Sequence, residues 1–485
     1  MSVLKNLFKQ TVIYGLATVF PRVLSFILLP LYTHVLPTKA EYGKVSIIFA
    51  WIVVFNVILA YGMETAFFRF YHDDKTKNSV KGTSAISIAV SSLIFLGLAL
   101  YLKSYLAALM NIDVKYITFV IWILVLDALV IIPFSILRAK GKSMTYSVLK
   151  IVNVAVNLGL NVFFLVLLKD LVNPSKEVFW NSIWFSGAEI SYIFISNLIA
   201  SLLTLLMLLP VYFKIKFRVN FSLLKKMLRF GFPVMVAGLA YAVNETFDRI
   251  LLDYLLPPET AESQIGEYSA CYKLALFITL FATAFRLGIE PFFFSHSKEK
   301  NSKETYAVIT KYFVLIGLGI LLSVIVFVDV LKELFISDES YWEAMPVVPY
   351  ILLANLCLGI YFNLSVWYKI TDRTKFGAYF SVVGALVTLA LNFWLIPIIG
   401  YKGSAIATLS AYGTMMILSW YFGKKHYPIP YNLKKLGIFT VLALGFSALS
   451  FLLFRGNLVI GVLLIAVFFG ALYVSEHKEL KQFLK

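Results

Sequence analysis

The chain has 485 residues, of which 60% are hydrophobic and 14% charged, far below the roughly one-quarter charged share of soluble domains. A water-soluble core cannot hide that much apolar surface, which excludes an ordinary soluble enzyme or binding domain. The net charge of +17 could suggest nucleic acid. Most of the cations, however, fall in short polar breaks between apolar runs, and no nucleic-acid partner is expected.

Apolar runs of about 20 residues, the length that crosses a hydrocarbon core, recur along the chain and predict fourteen membrane helices. The first seven are Thr11 to Leu31, Val45 to Thr65, Ser84 to Leu102, Tyr116 to Leu137, Tyr146 to Leu168, Ile190 to Leu209 and Phe230 to Tyr254. The second seven are Tyr268 to Phe285, Tyr312 to Val328, Val347 to Trp367, Phe376 to Ile399, Ser404 to Phe422, Leu436 to Leu453 and Leu458 to Val474. Lys5 and Lys9 precede the first run as in a signal peptide, but Pro21 and Arg22 interrupt it and no small-residue cleavage site ends it. It therefore reads as helix 1.

Basic residues cluster in alternate connections: Lys75, Lys77 and Lys81; Arg138, Lys140 and Lys142; Lys214 through Arg229; and Lys424, Lys425, Lys434 and Lys435. That asymmetry predicts cytoplasmic N- and C-termini, with the clusters as topology anchors beside an anionic leaflet. Cys271 and Cys357 both lie inside predicted spans, so neither a disulfide framework nor a cysteine metal site is indicated. The longest connections, about 169 to 189 and 210 to 229, are too short for a folded catalytic domain. There is no P-loop and no metal-binding cluster among the five histidines. The chain reads as a non-enzyme without a metal or cofactor, apart from a coupling proton or sodium ion.

An internal repeat runs through the two halves. Glu41 and Tyr42 recur as Glu267 and Tyr268, Gly62 and Glu64 as Gly288 and Glu290, and Phe67 and Phe68 as Phe293 and Phe294. Leu36 and Pro37 match Leu256 and Pro257, and Leu160 and Asn161 match Leu391 and Asn392. The pattern predicts an all-α membrane protein with two six-helix lobes, residues 1–215 and 216–428. Residues 429–485 add two helices and a short tail.

An ionisable group at mid-bilayer costs at least about 2.5–3.5 kcal/mol on insertion scales and needs a partner or a hydrated cavity. Arg22, Asp127 and Lys273 lie near the middle of their spans, Glu245, Asp248 and Arg249 in the outer half of helix 7, and Glu64, Lys150, Arg286 and Glu290 nearer inner ends. Asp248 and Lys273 lie at similar depth on adjacent helices, either as an ion pair locking a hairpin or as a cation or proton site that changes partners. Asn153, Asn157 and Asn161 recur every four residues, forming a stripe that either bonds a neighbouring helix or lines a sugar-binding wall. Arg22 reads as a cavity-facing anion ligand. Pro21 and Pro233 mark bending points or packing kinks.

The stretch from Leu228 through Pro233 to Asn244, Asp248, Arg249, Ile250 and Leu251 resembles the hallmark region of bacterial polysaccharide flippases. These belong to the multidrug, oligosaccharidyl-lipid and polysaccharide exporter superfamily. The Gly62, Glu64, Ala66 and Arg69 pattern, Leu137 to Lys142, and Arg286, Glu290 and Pro291 are similar to other family features. So is the run Asn392, Pro397, Gly400, Gly403, Ala405 and Ala407.

The resemblance implies two six-helix lobes around a central cavity that opens alternately to either side, and flipping of an undecaprenyl-pyrophosphate-linked oligosaccharide across the bacterial inner membrane by alternating access, for O-antigen, capsule or exopolysaccharide assembly. On that reading Arg22, Lys273 and Arg249 meet the pyrophosphate, and Asn153, Asn157, Asn161, Tyr241 and Asn244 meet sugar. Asp127, Glu245, Asp248, Glu64, Glu290 and Arg286 are candidates for ion coupling or gating. Membrane lipids and polysaccharide polymerase machinery are the expected partners of a monomeric transport unit. An ion-coupled drug exporter, a peptidoglycan-precursor flippase and a membrane glycan polymerase or ligase are the alternatives.

Overall fold

Backbone polar groups in hydrocarbon must find partners within the chain, which leaves helices as the form for runs this apolar. The computed structural model describes residues 26–71, 76–172, 179–295, 299 and 301–483, and no strand occurs among them. These residues fall into two compact units that divide between Gly266 and Glu267.

In the first unit, α1 (Phe26–Val35) leads to α2 (Lys39–Ala60) and α3 (Met63–Tyr71), followed by α4 (Lys77–Tyr101) and α5 (Lys103–Leu109). Next come α6 (Val114–Ala139), α7 (Ser143–Val162), α8 (Leu168–Leu171), α9 (Glu189–Tyr212) and α10 (Phe221–Leu255). Thr38 caps α2 by accepting from the Glu41 amide, and Asn220 caps α10 by accepting from the Leu223 amide. The most enclosed helix is α6, which packs on α2, α4 and α9.

Helix α11 (Pro258–Leu274) carries the division, and the second unit continues with α12 (Leu276–Ser295), α13 (Ser302–Val326), α14 (Val328–Phe335), α15 (Val348–Leu364) and α16 (Val366–Ile370). It ends with α17 (Lys375–Ile399), α18 (Tyr401–His426), α19 (Leu433–Ala448) and α20 (Leu458–Phe483). The α17–α18 hairpin turns on Gly400 alone, at φ 60° and ψ −142°, a region open to glycine but costly for any residue with a Cβ. At the centre of this unit α13 and α15 are buried, while α20 is largely exposed.

Among the described residues twelve helices are long and apolar enough to cross a membrane, or thirteen with the bent α11–α12 pair. The chain is thus a multi-pass helical membrane protein, but the count of fourteen is not reached, because most of the predicted Thr11 to Leu31 helix lies outside the described residues. The predicted span Tyr268 to Phe285 begins earlier, at Pro258, and bends by 47° around Ala275. Asn355 Nδ2 donates to the freed Ala275 carbonyl at 3.2 Å, which lets the break persist in an apolar setting. Helix α10 continues unbroken through Pro233, and it packs with α2, α3 and α4 inside the first unit. Pro21 lies outside the described residues.

Candidate substrate and ion sites

Helix α10 carries the densest set of charges within a membrane span. Asp248 is buried and Arg249, the next residue, curls back so that its Nη1 lies 3.0 Å from Asp248 Oδ1. The same Nη1 reaches the Glu245 carbonyl at 3.4 Å. Adjacent helical residues point about 100° apart, so only the length of the arginine permits this contact. One turn and two turns earlier, Asn244 is buried and Tyr241 is exposed, and Glu245, directly after Asn244, is half-buried.

A second polar centre lies inside the first unit. Ser201 of α9 donates to Asp127 Oδ1 of α6 at 2.8 Å, and Asn56 of α2 and Lys150 of α7 face the same carboxylate. The Lys150 ammonium also lies 4.6 Å from the Phe134 ring centre. Four helices thereby converge on one carboxylate, with a cation beside it to offset the burial of its charge.

The asparagine stripe on α7 is divided in its use. Asn153 Nδ2 donates to Thr204 Oγ1 of α9 at 2.8 Å. Asn161 is fully buried, donates to the Asn157 carbonyl at 2.8 Å and accepts from the Tyr32 hydroxyl at 3.0 Å. Asn157 is half-buried, and its Oδ1 accepts from Asn161 Nδ2 at 3.0 Å. In the second unit Asn392, the repeat counterpart of Asn161, is also fully buried. It donates to the carbonyl four residues earlier, Thr388, at 2.7 Å and accepts from a hydroxyl on another helix, Ser404, at 2.7 Å. The matched residues thus perform the same bonding in both units.

Two motifs that lie far apart in sequence meet at the end of the first unit that carries the basic clusters. Glu64 of α3 pairs with Arg138 Nη1 of α6 at 2.5 Å, and the Arg138 guanidinium lies over the Phe68 ring. Arg69 lies over Phe230 of α10. In the second unit Arg286 of α12 covers Phe362 of α15 at 4.5 Å, and half-buried Lys273 stands two residues before the Ala275 break. Arg22 and the side chain of Glu290 lie outside the described residues.

Sequence reading missed a polar cleft at the opposite end of the first unit. Its volume is about 440 Å³, within the ~300–1,000 Å³ range of ligand sites. Lys44, Ser104, Asn111, Asp113, Tyr116 and Glu262 supply its polar rim over a floor that includes Ile47 and Ile48. Lys44 and Glu262 approach to 3.4 Å. The signal was present in the turn residues Asn111 and Asp113 between two apolar runs, but nothing linear connects them to Lys44 or Glu262.

The chain matches the family described as polysaccharide biosynthesis protein over residues 7–286, more than half its length. The MatE family model matches residues 233–394. A Haemophilus influenzae protein of the Lsg locus is 22% identical over 423 residues, 82% of this chain and 94% of its own. Among solved structures, the lipid II flippase MurJ in an inward closed conformation superposes with a TM-score of 0.74 at 15% identity, covering 96% of this chain and 99% of its own. An inward-facing multidrug resistance MATE transporter of the MOP superfamily gives a TM-score of 0.66 at 14% identity, covering 87% and 96%. A MOP superfamily transporter from Pyrococcus furiosus gives 0.62 at 15%, covering 86% and 95%. These neighbours are flippases and transporters, not enzymes, and they show the fold. With that fold and a family match over most of both its first unit and its polar sites, the chain belongs to the polysaccharide biosynthesis protein family.

Proposed function

We propose that the protein turns undecaprenyl-pyrophosphate-linked oligosaccharide units from the cytoplasmic to the outer leaflet of the bacterial inner membrane by alternating access, supplying surface polysaccharide assembly. What supports this most is the family match combined with cations and amides placed inside membrane spans of a flippase-like fold. A polar glycan and a pyrophosphate need charged and hydrogen-bonding surroundings to pass hydrocarbon, whereas the polyprenyl tail can stay in lipid.

In this reading Arg22, Lys273 and Arg249 attract the pyrophosphate. Arg249 rests on Asp248 between cycles and exchanges that carboxylate for phosphate oxygens, so Asp248 is its ground-state partner. Asn157, Tyr241 and Asn244 offer amide and phenol groups to sugar, while Asn153 and Asn161 hold their helices together. Asp127 is the coupling site for a proton or sodium ion, given its four-helix polar surroundings. The Glu64–Arg138 pair serves as a latch at the basic end. The cleft around Asn111 and Glu262 receives a sugar residue after translocation. The transport unit is a monomer that delivers to polymerase machinery, with both termini in the cytoplasm.

The test is deletion of the protein followed by analysis of the lipid-linked oligosaccharide that builds up. A completed repeat unit on the isoprenyl carrier is the expected product. An unfinished unit would show that the protein acts as an enzyme, and accumulated peptidoglycan precursor would move its substrate to that pathway.

A further inference from the structure

Helix α19 leaves a cleft of about 360 Å³ against α13, α15 and α18 of the second unit. Val314 of α13, Ile360 and Leu364 of α15, Met416 and Trp420 of α18, and Leu436 of α19 form its walls. All four helices are membrane spans, so hydrocarbon, not water, is the medium the cleft faces. It runs along α19 from Leu433 to Thr440, about 10 Å at 1.5 Å per residue, or roughly a third of the ~30 Å hydrocarbon core. Its mouth is where α18 ends and α19 begins.

That mouth is cationic. Lys424 stands one turn beyond Trp420, with its ammonium 5.7 Å from the Trp420 ring centre, and Lys425 and Lys434 are exposed beside it. Lys303 at the start of α13 lies over Tyr427. Of the described carboxylates on this side, Glu476 is already bridged by Lys311 and Lys435, Glu299 faces Tyr306, and Glu304 stands in the first turn of α13. An apolar slot that opens into a cluster of lysines matches a molecule with a hydrocarbon chain and an anionic head.

We propose that this cleft holds one anionic phospholipid of the cytoplasmic leaflet, its acyl chain against α13, α15 and α18 and its phosphate at Lys424 and Lys434. The lipid fills the seam between α19 and the core and acts as a structural component. The site is separate from the charges assigned to substrate transport and does not depend on what the protein transports.

Gly437 gives a selective probe, because a side chain built there meets no atom within 4 Å and would extend into the cleft. Full-length protein is purified in mild detergent and examined by native mass spectrometry, with phosphatidylglycerol and phosphatidylcholine added in separate titrations. The wild type is expected to retain one phosphatidylglycerol that phosphatidylcholine does not replace. Gly437→Phe should abolish that retention, and the Lys424→Gln, Lys434→Gln double variant should weaken it on the order of tenfold. Equal retention of both lipids, unchanged stoichiometry in Gly437→Phe, or displacement by an isoprenyl phosphate at equimolar phosphatidylglycerol would each overturn the assignment. Surface-glycan export by Gly437→Phe is measured in parallel, and its persistence alongside lost lipid separates this site from the transport reading.

Discussion

At the scale of single residues, the buried amides show most clearly how sequence becomes structure. Asn161 and Asn392 each donate to the carbonyl one turn back and accept a hydroxyl from another helix. Replacing either by leucine leaves a hydroxyl unpaired in an apolar interior, at a cost of about 0.6–2 kcal/mol. We predict a lower thermal midpoint in detergent for both variants and a smaller change for Asn157→Leu. Equal effects from all three would refute the division of the stripe. The spacing of the asparagines was legible in the sequence; which of them face a neighbouring helix was not, because a period of four gives a face and not what covers it. Arg249 makes the same point, since a face-based argument separates it from Asp248 and its flexible stem brings the two together.

Among elements, close backbone crossings and end contacts decide which helices associate. A Cβ on Gly62 would lie 2.2 Å from the Gly231 carbonyl oxygen, and one on Gly43 would lie 1.9 Å from that of Glu262. Both neighbours are backbone atoms that cannot rotate away, and Gly62 adds a φ of 70°. Gly62→Ala should therefore cost more than the ~1–3 kcal/mol typical of overpacking and reduce folded protein in the membrane, as read by fluorescence size exclusion. Gly159→Ala, where nothing lies within 4 Å, should leave the yield unchanged. These glycines stand out in the sequence only as small residues, since their partners are distant in the chain.

The added helices α19 and α20 are tied to the core at both ends. At one end buried Glu476 meets Lys311 at 2.8 Å and also Lys435. Removing that carboxylate leaves two partly buried ammonium groups, so Glu476→Ala should destabilise by about 3–5 kcal/mol and expose the α19–α20 pair to proteolysis. At the other end Arg455 grips Asp329 through Nε and Nη2 at 3.1 Å, and Lys332 approaches the same carboxylate at 2.8 Å. Burial alone would raise the Asp329 carboxyl, but the hydrogen bonds and charges of Arg455 and Lys332 outweigh it and hold the group below its ordinary value. A depressed folded pKa means that the contact contributes its full stability above the unfolded carboxylate range near 3.9 and loses it as pH falls through the folded value. Amide exchange at residues 454–457, corrected for intrinsic rate, should stay constant from neutral pH to about 4 and rise only in stronger acid. A rise between pH 7 and 5 would contradict this.

For the whole molecule, apolar length alone revealed a multi-pass helical protein, and Asn161 and Asn392, matched in the sequence, make like bonds within their own units. The predicted ends of helices strayed where apolar composition stops before the helix does, as at Pro258 and at Phe221. Cysteine readings were simpler, with Cys271 and Cys357 both buried free thiols. The polar cleft and the lipid-facing slot stayed invisible to sequence because each is built from separated segments, three in the first and four in the second.

The central claim is movement of a lipid-linked glycan between leaflets, and a leaflet-resolved assay tests it most directly. Inverted inner-membrane vesicles carrying labelled lipid-linked oligosaccharide are exposed to a glycosidase that cannot enter the lumen. With the protein present, the label should become protected over time. Vesicles without it, or with the Arg249→Ala, Lys273→Ala double variant, should stay fully susceptible. Protection at the same rate with and without the protein would contradict the account.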